Sequence, residues 1–386
     1  MLLTLVLLAT QAPITKAKFI TLEPPAPYYE LGVPAVSPDA SYVVVNGYYK
    51  DPKLSPRENP VWQPHLWRPT EGKNPTPIAV PDVDISAVAN DGTTLGRNMG
   101  MVDPSYGIQN GQVKSVVFAL KEGRLTFLEP VVFPGAFYVA SSNLAGDGPL
   151  LSADGTKIYG LCSGATRRGE WFHAPALWQA GKASLVVPWG PDNDIMTGAS
   201  DDLGVICGSS HVFESEYGQK LPYVFTNGGY EALEWHRLAS YQVRAISGDG
   251  STIAGEEATR TETRNVEWRD RKLFELKVPQ STRKFGRFTL RSLSYSGKIA
   301  VGYTNLGGTW SFPFNPHFNI KDTALICDGD EVTELDKYLS EKWGLAKELD
   351  GWNLAAAVGV SSDGKTIVGQ AFNSKGVLCV FVAIHG

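Results

Sequence analysis

The amino-acid sequence predicts an all-β chain: a seven-bladed β-propeller of four-stranded antiparallel blades, its ring closed by the N-terminal strand. Three observations predict it. A ten-residue pattern, seen as "LSADGTKIYG" from Leu151 and "VSSDGKTIVG" from Val360, recurs seven times. A strand–turn–strand beat follows most copies, and the last unit is one strand short while the N-terminus holds one strand in excess.

Aligned on the acidic residue, the copies stand at Asp39, Asp91, Asp154, Asp202, Asp249, Ser296 and Asp363, 47 to 67 residues apart. A unit of about 47 residues therefore carries insertions in some copies. Two positions earlier come Ser37, Ala89, Ser152, Ser200, Ser247, Ser294 and Ser361; four later come Val43, Leu95, Ile158, Ile206, Ile253, Ala300 and Ile367. The later set is the apolar beat of a strand. Asp and Ser oxygens accept from nearby backbone N–H groups, and the glycine that usually follows takes a positive φ, so the pattern spells a tight hairpin turn. An acid that serves six units is a turn residue, since chemistry needs it once or twice. Small residues four positions before the anchor, such as Ala35, Ala87, Gly198, Ala245, Ser292 and Gly359, suit an innermost strand crowded near an axis.

The second beat reads "HLWRPTEG", "ALWQAGKASLVVP", "YVFTNGGYEALEW", "VEWRDRKLFELKVP" and "ALICDGDEVTEL", again strand, turn, strand. After "VLCVFVAIHG" the chain stops one strand early, while "KFITLEPP" from Lys18 matches "RLTFLEPV" from Arg124, a fourth strand. The N-terminal strand is expected to complete the last blade and remove the exposed edges. Residues 18–386 then form one propeller domain. Within "VTELDKYLSEKWGLAKELDGW", Leu335, Leu339, Trp343 and Leu349 are spaced for a short amphipathic helix on the link to the last blade.

Composition agrees. Forty glycines and 25 prolines in 386 residues favour many turns, and the formal net charge of -5 without a Lys/Arg block argues against nucleic acid as partner. Residues 1–17 contain an apolar run, Leu2 to Ala9, followed by small residues. Such a run is too short for a bilayer span and suits a secretory signal, so the expected location is secreted, periplasmic or cell-surface, with no transmembrane anchor. Cys162, Cys207, Cys327 and Cys379 lie far apart, with no metal-ligand spacing, and read as buried apolar residues, a disulfide being the alternative. No metal or cofactor is expected.

The pattern "A-x-S-x-D-G-x-x-I-x-G" followed by "A-x-x-W" resembles the HAF repeat of probable extracellular bacterial proteins, over nearly all the chain after the leader. The resemblance implies a secreted or surface repeat protein with no shared catalytic residues. Ala40 for Gly, Ser296 for Asp and Arg97 for the closing Gly depart from it. The "S-x-D-G-x-x-I" half is also similar to repeats of Tol-type periplasmic propellers and of prolyl-oligopeptidase-like enzymes, although no hydrolase domain follows.

Strand parity sends the short 1–2 and 3–4 turns to one face and the 2–3 loops and inter-blade links to the other. The long stretches Tyr48–Gln63, Arg97–Lys114, Leu161–Pro175, Ser209–Leu221 and Tyr303–Asp322 all fall on the second face, where a repeat fold carries its binding surface. Trp62, Tyr106, Trp171, His173 and Trp310 are the candidate ligand-binding residues, a palette suited to a glycan, peptide or protein; the competing role is to pin loops to the ring. No catalytic motif is present. The expected function is a monomeric binding or interaction scaffold. The alternative is a propeller lyase or hydrolase acting on polysaccharide or peptide, with Glu170 and His173, or His211 and Glu214, as acid–base pairs.

Overall fold

The computed structural model describes residues 16–24, 26, 28, 30–49, 61–72, 74–78, 83–98, 113–115, 117–131, 136–142, 150–166, 171–186, 195–211, 219–226, 229–276, 287–305 and 320–386. They build seven antiparallel sheets, each adjoining the next in a ring. Blade 5 is the unit without insertions: Ser240–Ile246, Thr252–Ala258, Thr263–Arg269 and Lys272–Glu275 pair in that order. Blade 3 gains a parallel neighbour, Val113–Ser115, beside its first strand Ala136–Ser142. Blade 7 consists of Asn353–Val360, Thr366–Phe372 and Leu378–Ile384, and its outer strand is the N-terminal Lys18–Leu22. Lys18 lies opposite Ile384 and Leu22 opposite Val380. Phe19 stacks on Phe381 at 5.6 Å and meets Trp352 edge-on at 5.9 Å, so the closing strand is held by packing as well as by its ladder.

The cores lie between blades. Tyr241, Val243, Ile253 and Trp268 of blade 5 join Cys207, Val224 and Leu233 of blade 4; Ala245 and Ala254, on the other face of blade 5, join Phe288, Leu290 and Leu325 of blade 6. Alternate side chains of a strand thus serve two neighbours. Polar residues of the second strands also bridge blades: Asn46 Nδ2 donates to the Ile85 carbonyl and Gln370 Nε2 to that of Leu31, while Ser209 Oγ accepts from Val243 N. The tryptophan of the second beat has a related task. Trp178 and Trp268 donate their indole N–H to the Glu129 and Glu234 carbonyls in the links that enter their own blades.

Six of the seven hairpin turns share one form, the N–H of the serine two before the anchor bonding the carbonyl five positions on, and blade 2 departs from it. In five of them the serine donates to the aspartate Oδ1 at 2.6 to 2.8 Å: Ser37 to Asp39, Ser152 to Asp154, Ser200 to Asp202, Ser247 to Asp249 and Ser361 to Asp363. The residue after the anchor is left-handed in every copy, at φ 72 to 80° in the five glycines, 62° at Ala40 and 57° at Leu203. Two non-glycine residues therefore accept a strained conformation.

Blade 2 corrects the sequence alignment. Its turn is one residue shorter, Ala89 N bonding Thr93 O where Ser247 N bonds Thr252 O. Thr94 consequently takes the place of Ile253, and Gly96, not Arg97, is the closing glycine. That glycine is required by close approach: a Cβ on Gly96, Gly255, Gly302 or Gly369 would lie 2.0 to 2.5 Å from a first-strand carbonyl oxygen. A β-bulge stands beside it in each of these blades, and blade 4 has one too.

The expected helix is Leu335–Lys342, with Leu335, Leu339, Leu345 and Leu349 packed in one cluster with blade 6 and 7 residues. The four cysteines are free and buried, so the disulfide alternative falls. Burial pushes their thiols up to about 11 or 12. Among the described residues no helix is long and apolar enough to cross a membrane.

Candidate functional site

The two faces of the ring differ. On the turn face the seven hairpins are tied into a closed circuit by hydrogen bonds of 2.7 to 2.9 Å. Backbone N–H groups of Asn90, Ala153, Asp201, Asp249, Tyr295 and Ser362 donate to carbonyls of Ala153, Asp201, Gly248, Tyr295, Ser362 and Pro38 in the next blade. Pro38 has no N–H to give, and the remaining step is taken by Asp39 N donating to Asn90 Oδ1. Ser362 Oγ of blade 7 then donates to Asp201 Oδ2 of blade 4 at 2.8 Å, across the axis. Glycine at 248 leaves room for this: a Cβ there would lie 2.7 Å from both Asp201 Oδ2 and the Tyr295 ring. The axial end of this face is spanned by protein.

Asp201 and Asp202 sit side by side with opposite electrostatics. Burial raises the Asp201 carboxyl, the Ser362 bond opposes that, and the charges of Asp202 and Asp249 add to it. Asp202 is lowered by the Gly204 N–H and the Ser200 hydroxyl. The turn hydrogen bonds therefore select the ionised form at one position, and desolvation disfavours it at the next.

Three of the five candidate residues fall among the described residues. Trp62, Trp171 and His173 stand on third strands and not in loops, Trp62 opposite Tyr48, Trp171 opposite Ala165 and His173 opposite Ser163. The sequence insertions are shorter than they read, because these hairpins continue past the predicted strand ends. Tyr106 and Trp310 lie outside the described residues, as do Glu170 and Glu214 of the suggested acid–base pairs. His211 ends a second strand, opposite Lys220. Tyr48, the first residue of one insertion stretch, is 5% exposed and covers Gly32, so its ring belongs to the packing of blade 1. His65 is a buried strand residue whose ring meets Tyr28 edge-on.

Sequence reading missed a polar cluster at the insertion-face end of blade 5. Glu257, the penultimate residue of the second strand, is fully buried and accepts from three neighbours. Its Oε1 takes the Tyr241 hydroxyl at 2.5 Å and faces His236 Nδ1 at 2.6 Å; its Oε2 takes Arg264 Nε. Tyr241 Oη also accepts from His236 N at 2.8 Å, and Arg264 Nη1 continues to Glu275 Oε2 at 3.1 Å. Burial alone would raise the Glu257 carboxyl, but the donors Arg264, Tyr241 and His236 outweigh it and hold it low. Burial and the bond to Glu257 raise the Tyr241 phenol. The link that carries His236 is fastened along its length: Leu233 N to Pro222 O, Glu234 N to Arg271 O, Ala239 N to His236 O. The signal was present in "LEWHRLASY" and "AGEEATR", but a single His and a single Glu 21 residues apart have no meaning until the strands align them. Among the described residues no group of three or more His, Cys, Asp or Glu is placed to hold a metal ion.

No protein-family profile matches the chain, and no curated protein does. Solved structures do. An oligogalacturonate lyase from Vibrio parahaemolyticus superposes with a TM-score of 0.54 at 8% identity, over 96% of this chain and 97% of that one. The β-propeller domain of the Trilobed protease from Pyrococcus furiosus gives 0.56 at 9% identity, over 92% and 95%. At such identities the likeness concerns the fold, and it extends over almost the full length of each.

Proposed function

We propose that the chain is an exported β-propeller, as its resemblance to HAF repeats implies, that it acts as a monomeric binding or interaction scaffold, and that its ligand surface is the insertion face. The observation that carries the reading is the closed turn face. Its hairpins are short and tied to one another, and Asp201 and Ser362 bridge the axis, so length and chemical variety are left to the opposite side. Trp62, Tyr106, Trp171, His173 and Trp310 are the residues assigned to that surface.

The test is a glycan and peptide array probed with the full chain, followed by Trp171→Ala and Trp310→Ala. Loss of binding with an almost unchanged melting temperature is the expected result. A destabilisation of about 3 to 5 kcal/mol, the scale of truncating a buried aromatic ring, or a ligand footprint on the turn face, would count against the assignment. A second reading, a lyase or hydrolase acting on extracellular polysaccharide or peptide, draws on the imidazole held by Glu257; turnover of an array ligand would favour it.

A further inference from the structure

We infer that the insertion-face end of blade 5 is a subsite for a neutral saccharide, an assignment that rests on the insertion face being the ligand surface. The Glu257 carboxylate, held low by its donors, can only accept, so Nδ1 of His236 carries a proton toward Oε1 at 2.6 Å, and in the neutral tautomer this leaves Nε2 as the acceptor. The imidazole is 59% exposed while its carboxylate is 0% exposed, an oriented acceptor on a rigid base. Arg264 stands next to it on the third strand, with Nε on Glu257 and Nη1 on Glu275. Its planar fork offers five N–H donors, and two carboxylates engage two of its nitrogens. Glu275, on the outer strand and 47% exposed, supplies a second acceptor. An acceptor, a donor and an acceptor thus follow one another across the ends of three elements.

The chemistry of that row selects its ligand. Saccharide hydroxyls both donate and accept, as the alternation requires. Two carboxylates flanking one guanidinium disfavour a phosphate or a uronate, whose charge would meet Glu275. Trp235, the residue before His236 in the same link, is 38% exposed, a ring of the kind on which sugar C–H groups rest. Blade 5 also leaves the row clear of its own loop. Its 2–3 connection is the four-residue turn Thr259–Glu262, closed by Thr259 N to Glu262 O at 2.8 Å, whereas blades 4 and 6 have eight and seventeen residues there.

The experiment titrates the full chain with a panel of immobilised neutral and uronic-acid oligosaccharides, beside His236→Ala and Glu275→Ala. Neutral members should bind, and each variant should weaken them about tenfold, the worth of one well-made hydrogen bond, with the melting temperature unchanged in the Glu275 variant and slightly lowered in His236→Ala, which removes one donor from the buried Glu257. Nitrogen NMR of the imidazole should report the Nδ1–H tautomer. Binding of uronic acids in preference, no binding of neutral members, full affinity in both variants, or an Nε2–H tautomer would overturn the inference. Hydrogen-exchange protection separates the two levels: a footprint on another blade of the insertion face overturns the subsite and leaves the face assignment standing, and a footprint on the turn face overturns both.

Discussion

Replacing Asp249 by alanine tests whether the repeated acid is a turn residue. Its Oδ1 accepts three hydrogen bonds, from Ser247 Oγ at 2.6 Å, Ser251 N at 2.9 Å and Ser251 Oγ at 2.8 Å. The two Ser251 donors are exposed and regain water, so each is worth only about 0.5 kcal/mol. Ser247 is fully buried, which would cost more if its hydroxyl were stranded. In the sister turns, however, Ser152 and Ser200 also reach the carbonyls of Lys157 and Val205, at 3.2 and 3.3 Å, so an equivalent acceptor exists at Thr252. The sum is about 1 to 2 kcal/mol. For a chain of this length the melting entropy is about 0.8 kcal/mol per degree, so the melting temperature should fall by only about 1 to 3 °C, and urea unfolding followed by tryptophan fluorescence is the better assay. Burial works to raise the Asp249 carboxyl, and the Ser247 and Ser251 bonds overcome it, leaving it lowered. A lowered carboxyl stabilises the fold above its unfolded pKa, about 3.9, and the contribution disappears as pH falls through the folded value. The difference between wild type and variant should shrink accordingly in acid. A loss above about 4 kcal/mol, a difference that persists in acid, or loss of ligand binding at intact stability would refute the turn assignment.

The remaining expectations concern the axis and the closure. Asp201→Asn should leave stability unchanged or higher at pH 7, because a carboxyl raised by burial imposes a penalty that grows as pH rises from its unfolded to its folded value; urea titrations at pH 4 and pH 7 should diverge, and a variant much weaker than wild type at pH 7 would contradict the desolvation argument. Deleting Lys18–Leu22 should expose the edge of Leu378–Ile384 and broaden the calorimetric transition, while Phe19→Ala alone should cost about 2 to 3 kcal/mol for a ring only partly buried; an unchanged melt after the deletion would show that closure contributes nothing.

Much of the ring could be read from the chain because its elements are local and repeated. The Ser-x-Asp turn closes within six residues, so each copy carries its own full instruction, and seven copies fix the blade number even where Ser296 or Ala89 departs. The closing strand was legible for the same reason, as "KFITLEP" repeats "RLTFLEP". Register was harder. Removing one residue from the Asp91 turn shifts the second strand against the alignment, and only the pairing of Ile85 with Gly96 reveals it. Strand ends were harder still: the hairpins bearing Trp62 and Trp171 run on beyond the conserved pattern, into residues that no other blade repeats. The His236–Glu257 pair was out of reach because its partners come from a link and from a second strand, each used once. What occurs seven times announces the scaffold, and what occurs once carries the individual chemistry.

The pairing of Lys18 with Ile384 also decides how the ring can be attached to anything else. The third strand of blade 7 runs toward the turn face, and His385 N bonds Lys365 O beside the Asp363 hairpin, so the C-terminal residues and the start of the closing strand emerge together on that side. A tether fused at either end, whether a lipid-linked peptide, another domain or a bead linker, would leave from the closed face and hold the opposite face outward. For the same reason a short peptide joining residue 386 to residue 16 and a cut in the Asp270–Arg271 turn, the equivalent position of blade 5, would give a permuted chain with the ring intact and its tethers moved two blades around the same face.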